Sequence, residues 1–358
     1  MQDDAVQDDA VQDDAVQDTA VQDGRAAKLP TLDEVAARAG VGRGTVSRVL
    51  NGSPKVSEEA RAAVLEAVAA LGYVRNRAAR SLVTGRTDSV ALVVSEPAER
   101  LFEQPFFADV IRGVSSALSG SSRQLLLTMA QSAEEHRRLE DYLMGQHVDG
   151  VMLMSLHGDD PLPERLERRG LPTVVGGRPL QGEPVSFVDI DNVGGAASAV
   201  AHLLSTGRRR IATITAPLDM AAGHSRLEGY RQALAAAGIP DDPMCVEHAD
   251  FTERGAAVAM GTLLARVPDL DAVFVASDLM AQGALRYLNE KGCQVPGDVA
   301  VVGFGDTSLA AHLDLTTVHQ PVETMGREMA DLLVARIDGR PTELHVVLDT
   351  HLVLRATA

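Results

Sequence analysis

Tryptophan is absent from the chain, and tyrosine and phenylalanine number only four and seven among 358 residues. Any core must therefore be packed from Val, Leu, Ala and Ile. Apolar residues still make up 45% of the chain and charged residues 23%, the balance of a globular protein with a large core. Cysteine is almost missing. Cys245 and Cys293 show no metal-ligand spacing and make no disulfide framework, so both read as buried thiols in a reducing compartment. No apolar run approaches the ~18 residues of a membrane span. The first residues lack the basic-then-apolar order of a signal peptide. These absences lead to the expectation of a cytoplasmic protein with no membrane partner, no metal and no cofactor.

Positive charge is also scarce, with a formal net charge of −17. Its distribution is uneven. Residues 1–24 hold eight Asp and no base, and 88–358 hold 22 bases against 37 acids. Residues 25–87 reverse the balance, with eleven Lys or Arg against five Asp or Glu. One basic segment in an acidic chain is the footprint of a tethered nucleic-acid-binding module. The repeat "QDDAVQDDAVQDDAVQDTAV" has only Ala and Val to bury, so 1–24 is expected to be a disordered acidic tail.

Residues 25–74 carry three helical patterns. "TLDEVAARAG" opens with Thr31 and Glu34 at capping-box spacing and stops at Gly40. "GVGRGTVSRVLNG" follows after a tight turn, with Val46, Val49 and Leu50 as its buried side. "VSEEARAAVLEAVAALGY" is capped by Ser57 and ended by Gly72. Three short helices with a glycine turn between the first two make a helix-turn-helix unit. Interior glycine normally weakens a helix by about 1 kcal/mol. Here Gly42 and Gly44 let the helix start lie close to a DNA duplex. Arg43 and Arg48 can reach guanine edges or phosphate, and Thr45 and Ser47 can donate to phosphate. Residues 75–87 have too little apolar face for an independent helix and read as a conditionally folded linker.

From residue 88 to 358, short apolar runs alternate with helical patterns. "SVALVV", "RQLLLTM", "DGVMLMS", "LPTVVGG" and "VSFVDI" form one set of strands. "RIATIT", "MCVEHA", "DAVFVAS", "VAVVGFG" and "HVVLDTHLVLR" form a second. Continuous apolar strands of this kind are buried on both faces, as in parallel sheets flanked by helices. The expected fold is therefore an all-α headpiece followed by an α/β region of two doubly wound parallel-sheet subdomains. The segment after "LTTVHQPV" is expected to cross back to the first subdomain. Ligands in such folds bind beyond the carboxyl ends of the strands, here in the cleft between lobes. No phosphate loop of the right spacing, nucleophile elbow or metal-ligand cluster is present, which argues against an enzyme. A solute-binding transport protein would share the two lobes but not the headpiece.

The ordered segments "TLDEVAARAGVGRGTVSRVLNG", "VSEEARAAVLEAVAALGYVRNRAARSL", "DNVGGAASAVAHLLSTGRRRIATI", "SRLEGYRQALAAAGI", "FVASDLMAQGAL" and "VPGDVAVVGFGDT" resemble the lactose-repressor (LacI/GalR) family of bacterial transcription regulators. The resemblance runs from about Pro30 to the C-terminus. It implies a periplasmic-binding-protein-like effector domain and sequence-specific binding to a near-palindromic double-stranded DNA operator as a homodimer. Repression is the implied action, with activation left open. It also places DNA contacts at Thr31, Arg43, Gly44, Thr45, Ser47, Arg48 and Asn51, and on a hinge helix at Asn76, Arg77, Ala79 and Leu82. Leu82 falls where the family wedges an apolar side chain between base pairs. Effector contacts fall at Phe106, Phe107, Ser155, Arg178, Arg226, Phe251, Ser277 and Asp306, with Arg226 as the ligand clamp. The chain ends at "HLVLRATA" without an apolar heptad extension, so a dimer rather than a tetramer is expected.

Three departures bear on the effector. Gly305 stands where an aspartate often binds sugar hydroxyls, followed by Asp306. Gly177 stands where an acid is common, leaving Arg178 as the nearest charge. "SEPAERLFEQPFF" is longer than the usual loop. Losing two hydroxyl acceptors counts against a simple neutral sugar. The effector class stays open between a sugar-like molecule and an anionic or phosphorylated metabolite, or no effector at all.

Overall fold

The computed structural model describes residues 30–74, 85–130, 132–180 and 185–358. The acidic tail at 1–24 and the hinge positions Asn76, Arg77, Ala79 and Leu82 lie outside the described residues. Contacts divide the chain into two compact units, Met1–Arg77 and Ala78–Ala358.

In the first unit, α1 (Leu32–Ala39), α2 (Arg43–Leu50) and α3 (Glu58–Leu71) form the helix-turn-helix headpiece. The capping box is present as read. The Thr31 hydroxyl accepts from the Glu34 amide at 3.3 Å, and the Glu34 carboxylate accepts from the Thr31 amide at 2.7 Å. Gly40 ends α1 at φ 64°, a left-handed turn that glycine adopts without a side-chain penalty. The core is made of small residues. Val35, Val46 and Val64 are fully buried and Ala36, Val49 and Ala67 nearly so.

The second unit consists of two lobes. The first is built on β1 (Ser89–Val94), β2 (Gln124–Met129), β3 (Gly150–Met154), β4 (Thr173–Gly176) and β5 (Ser186–Ile190). Its helices are α4 (Ala98–Glu103), α5 (Pro105–Leu118), α6 (Ala133–Met144) and α7 (Leu162–Arg168). The second lobe contains β6 (Ile211–Thr215), β7 (Val246–His248), β8 (Ala272–Val275), β9 (Ala300–Gly305) and β10 (Thr316–His319). Its helices are α8 (Asn192–Ser205), α9 (Ala221–Ala236), α10 (Glu253–Arg266), α11 (Asp278–Glu290) and α12 (Ser308–His312). The chain then runs through α13 (Val322–Ile337), β11 (His345–Leu348) and β12 (His351–Val353). The sheet orders are β11-β5-β4-β3-β1-β2 and β12-β10-β9-β8-β6-β7. Among the described strands, pairings are parallel except for β10 with β12.

The apolar strands are buried on both faces, for the reason their sequences suggested. In β1, Val90, Leu92 and Val94 join the core beneath α5 and α13, while Ala91 and Val93 face Leu139, Leu143, Leu162 and Leu166 of α6 and α7. As expected, α13 returns to the first lobe. It crosses α5 with Gly113 against the Glu323 carbonyl and Gly326 against the Val110 carbonyl, an approach no Cβ would permit.

One expectation needs correcting. "HVVLDTHLVLR" is not a single strand of the second sheet. It splits at Asp349 and Thr350, with β11 pairing parallel to β5 in the first lobe and β12 pairing antiparallel to β10 in the second. The run reads as one strand because both halves are equally apolar. What divides it is a passage between lobes, pinned where the Asp191 amide donates to the Leu348 carbonyl at 2.9 Å. The lobes are thus linked by three passages, after β5, after β10 and between β11 and β12. A helix at α4 was also unforeseen; it occupies the long loop noted after β1.

Candidate functional site

On the headpiece, α2 begins at Arg43 with Gly42 as its N-cap, and Val46 and Val49 face inward. That leaves Arg43, Gly44 and Arg48 exposed on the outer side, with Thr45 and Ser47 half-buried. Arg43 pairs with Asp33 at 3.5 Å, but both side chains are 68% exposed, so the pair contributes at most about 1 kcal/mol and yields readily to a phosphate. Arg48 makes no ion pair among the described residues. Ser47 accepts from Asn51 Nδ2 at 3.3 Å. The Thr31 oxygen accepts from the Glu34 amide in its cap, which leaves its own O–H available to donate at the helix start. A Cβ at Gly42 or Gly44 would have nothing within 4 Å. The headpiece itself has room for larger residues at both positions.

The second site is the cleft between lobes, beyond the carboxyl ends of β1, β3, β5, β8, β9 and β10. Seven of the eight residues read from the sequence line it: Phe106, Phe107, Ser155, Arg178, Arg226, Phe251 and Ser277. Ser155 and Phe251 both hold positive φ, at 58° and 62°. Strained non-glycine backbone of this kind collects at ligand sites. Ser277 caps α11, its hydroxyl accepting from the Met280 amide at 3.2 Å. Phe106 and Phe107 meet edge to face at 5.3 Å.

Arg226 is the centre of the cleft. It rises from α9, is 5% exposed, and lies over the Phe304 ring at 3.8 Å. Nε donates to Asn192 Oδ1 at 2.9 Å, one Nη to the Ala276 carbonyl at 2.6 Å, and the other to Gln320 Oε1 at 3.1 Å. Burial pushes its guanidinium down to about 9, with Asp189 and Asp278 opposing, so it remains a cation at neutral pH. Asn192 and Gln320 stand at the first two passages between lobes, so one side chain touches the cleft and both hinge segments.

Asp306 does not enter the cleft. Its Oδ1 accepts from Arg355 at 2.6 Å and its Oδ2 faces His319 Nδ1 at 3.0 Å. A positive φ of 54° turns it toward the C-terminal segment, which local sequence does not reveal. The carboxylate near Gly305 comes instead from Asp278, which is 2% exposed. Asp278 accepts from the Thr317 hydroxyl at 2.6 Å and from the Thr307 amide and hydroxyl at 2.8 and 2.9 Å. Burial raises its carboxyl above the ordinary value, against those hydrogen bonds. Arg178 is likewise not a free cation, since Nε donates to Asp189 Oδ2 at 2.6 Å. Asp189, Asn192, Asp278 and Gln320 were missed as site residues. Three of them sit inside the motifs "DNVGG", "FVASDLM" and "VHQPV", and all lie at strand ends, which was the available signal.

The long loop after β1 supplies the mouth of the cleft. Arg100 of α4 donates to the Asp250 carbonyl at 2.9 Å and lies 5.0 Å over the Phe251 ring. Its Nη1 bonds Glu96 at 2.7 Å. Among the described residues, the charged side chains lining the cleft are three bases, Arg100, Arg178 and Arg226, and three acids, Glu96, Asp189 and Asp278. That balance favours a neutral ligand rich in hydroxyls over an anion.

A helix-turn-helix headpiece followed by a two-lobed ligand cleft defines a ligand-responsive DNA-binding regulator. The sequence pattern described as bacterial regulatory proteins, lacI family, matches residues 31–76, and that of the periplasmic binding protein-like domain matches 200–358. The chain is 57% identical over 331 residues to the HTH-type transcriptional regulator CelR of Thermobifida fusca, spanning 91% of this chain and 97% of that protein. It is 35% identical over 317 residues to the ribose operon repressor of Escherichia coli K12, spanning 86% and 93%. Among solved structures, a CelR–cellobiose complex matches with 55% identity and a TM-score of 0.74, covering 92% of this chain and all of that one. A lac repressor dimer bound to operator and an anti-inducer matches with 26% identity and a TM-score of 0.82, covering 92% and 99%. The chain belongs to the lacI family of bacterial regulatory proteins: it is a DNA-binding transcription regulator with an effector domain, not an enzyme.

Proposed function

We propose that the chain is a homodimeric repressor, acting in the cytoplasm, that holds a near-palindromic operator and releases it when a neutral glucose disaccharide such as cellobiose enters the cleft. The observation that carries this reading is the charge-balanced cleft. Its carboxylates sit beside hydrogen-bond donors, and Phe106 and Phe251 offer faces for a sugar ring. The anionic effector left open by the sequence loses its support, because Arg178 and Arg100 are already paired with acids. The likeness to CelR and its cellobiose complex supports the same ligand class. For the dimer, the support is β2, an edge strand whose Leu126 and Leu127 are 36% and 40% exposed, together with the likeness to the operator-bound lac repressor dimer.

The test begins with selection of bound duplexes from a random pool at one fixed salt concentration, since affinity without a stated salt means little. An enriched near-palindrome is expected. Anisotropy of that labelled duplex should then fall on adding cellobiose but not a sugar phosphate. Release by the phosphate alone, or by neither, would overturn the neutral-sugar reading.

The DNA face yields a separate prediction. Gly44→Ala has space for its methyl and should stabilise the headpiece by up to about 1 kcal/mol, the usual gain over helical glycine. If the small surface serves close approach to the duplex, the same change should weaken operator binding. Headpiece melting by circular dichroism and operator anisotropy would be compared; a variant that melts higher and binds as well as before would reject that role for Gly44.

A further inference from the structure

We infer that His157 is a positioning residue that clasps the two lobes shut over the effector, so that effector binding takes up a proton. The inference rests on the effector reading above. His157 lies in the turn after β3 of the first lobe. Its Nδ1 faces Asp219 Oδ2 of the second lobe at 2.9 Å, and its Nε2 faces Glu96 Oε1 at 3.4 Å. Beside it, the Gly158 amide donates to the Asp219 carbonyl at 2.7 Å, so the same turn crosses the cleft mouth twice.

The chemistry follows from the number of protons on the ring. A neutral imidazole has one N–H and can satisfy only one of two carboxylates, while its other nitrogen presents a lone pair to the second. The imidazolium donates to both. Glu96 is 3% exposed and its other oxygen is held by Arg100, so it stays in place. Asp219 belongs to the other lobe and leaves when the lobes part. Closure therefore adds a second carboxylate to the ring.

With both carboxylates beside it, the His157 imidazole is raised above its ordinary value of 6.5. The Glu96 hydrogen bond is the largest cause, partial burial opposes it, and Asp219 adds to it. The other titratable groups around the same cavity are His136, Arg137 and Glu140 of α6, Asp159 and Asp160 further along the turn, and Arg165 of α7. Arg165 is itself paired with Glu140 at 3.1 Å. None of these belongs to the second lobe, so their distances to His157 do not depend on closure as that of Asp219 does. The remaining cross-lobe bonds at the mouth, Arg100 to the Asp250 carbonyl and Gln104 to the Phe251 carbonyl, involve no titrating group near neutrality. Linkage then sets the sign: a group bound more tightly to its proton in the closed state favours closure when protonated. The gain is complete below the value the ring holds beside Glu96 alone, and is lost as pH rises through the higher value it holds beside both carboxylates.

Isothermal titration of full-length protein with cellobiose tests this between about pH 6 and about pH 8, in buffers of unequal ionisation enthalpy. Affinity should fall across that range on the order of fivefold, the size a partly exposed ion pair supports, with net proton uptake at neutral pH. His157→Gln should flatten the pH profile and abolish the uptake. Asp219→Asn should shrink both, and serves if the glutamine variant does not fold. A wild-type affinity that does not change with pH, or a slope that survives in the variants, overturns the clasp while leaving the effector reading intact. Absence of any cellobiose heat at every pH overturns that reading, and the clasp with it.

Discussion

Arg226→Ala is expected to abolish the response to sugar while the protein still binds its operator. The guanidinium has five N–H donors and spends three on Asn192, Ala276 and Gln320. The other two remain for a ligand in the cleft. Truncation removes the clamp and strands the acceptors it had satisfied. Each stranded buried group costs about 1–3 kcal/mol, although water entering the cleft will relieve part of it. A net loss of about 3 kcal/mol corresponds to a fall in melting temperature of about 6–12 °C for a domain of this size. The headpiece is a separate compact unit and should melt unchanged.

The stronger consequence concerns coupling. Asn192 and Gln320 sit at the passages after β5 and β10, where any rotation of one lobe against the other must be absorbed. A ligand that binds Arg226 competes for, or tightens, the bonds holding those passages. This gives the effector unequal affinity for two lobe arrangements, which is the physical requirement for allostery. Arg226→Lys separates the parts of the argument. Lysine keeps a cation but loses the planar fork, so it should recover more stability than response. Operator anisotropy with and without cellobiose, beside thermal melts, measures both. An alanine variant that still releases DNA on sugar addition would remove Arg226 from the mechanism.

What the sequence made legible was whatever depends on neighbours in the chain. The Thr31–Glu34 capping box, the stops at Gly40 and Gly72 and the two-faced burial of β1 are local patterns, and each appears in the structure as read. The seven cleft residues were legible through the family resemblance, and the doubly wound fold only said that a cleft would lie beyond the strand ends. The errors came from distant partners. Asp306 looked available only because Arg355, 49 positions away, was not in view. Arg178 looked like a free cation because its acid, Asp189, lies on the next strand. Pairing Arg178 with Asp189 removes the support for the anionic member of an effector class that the sequence had left open. The division of "HVVLDTHLVLR" between two sheets belongs to the same class, since pairing partners rather than composition decide it.

The missing acid at 305 leads to the other large prediction: Gly305→Ala should destabilise the second lobe and close the cleft to sugar, and Gly305→Asp should do more. A Cβ at 305 would lie 2.7 Å from Asp278 Oδ2, and φ there is +148°, a conformation L-residues rarely hold. Backbone strain alone accounts for about 1–3 kcal/mol, and the clash adds to it. Aspartate would also set a second carboxylate beside one whose burial already disfavours its charge. The absence of an acid at 305 is then not a lost acceptor but the condition for placing one at 278. A double-mutant cycle reads this directly, because contacting residues give non-additive changes. Gly305→Asp should cost clearly less in an Asp278→Ala background than in the wild type, with the residual cost reflecting φ. Equal costs in the two backgrounds would show that the two positions do not compete for the same space, and that the family's usual acid is simply missing here. Melting temperature and cellobiose titration on the four proteins decide between those outcomes.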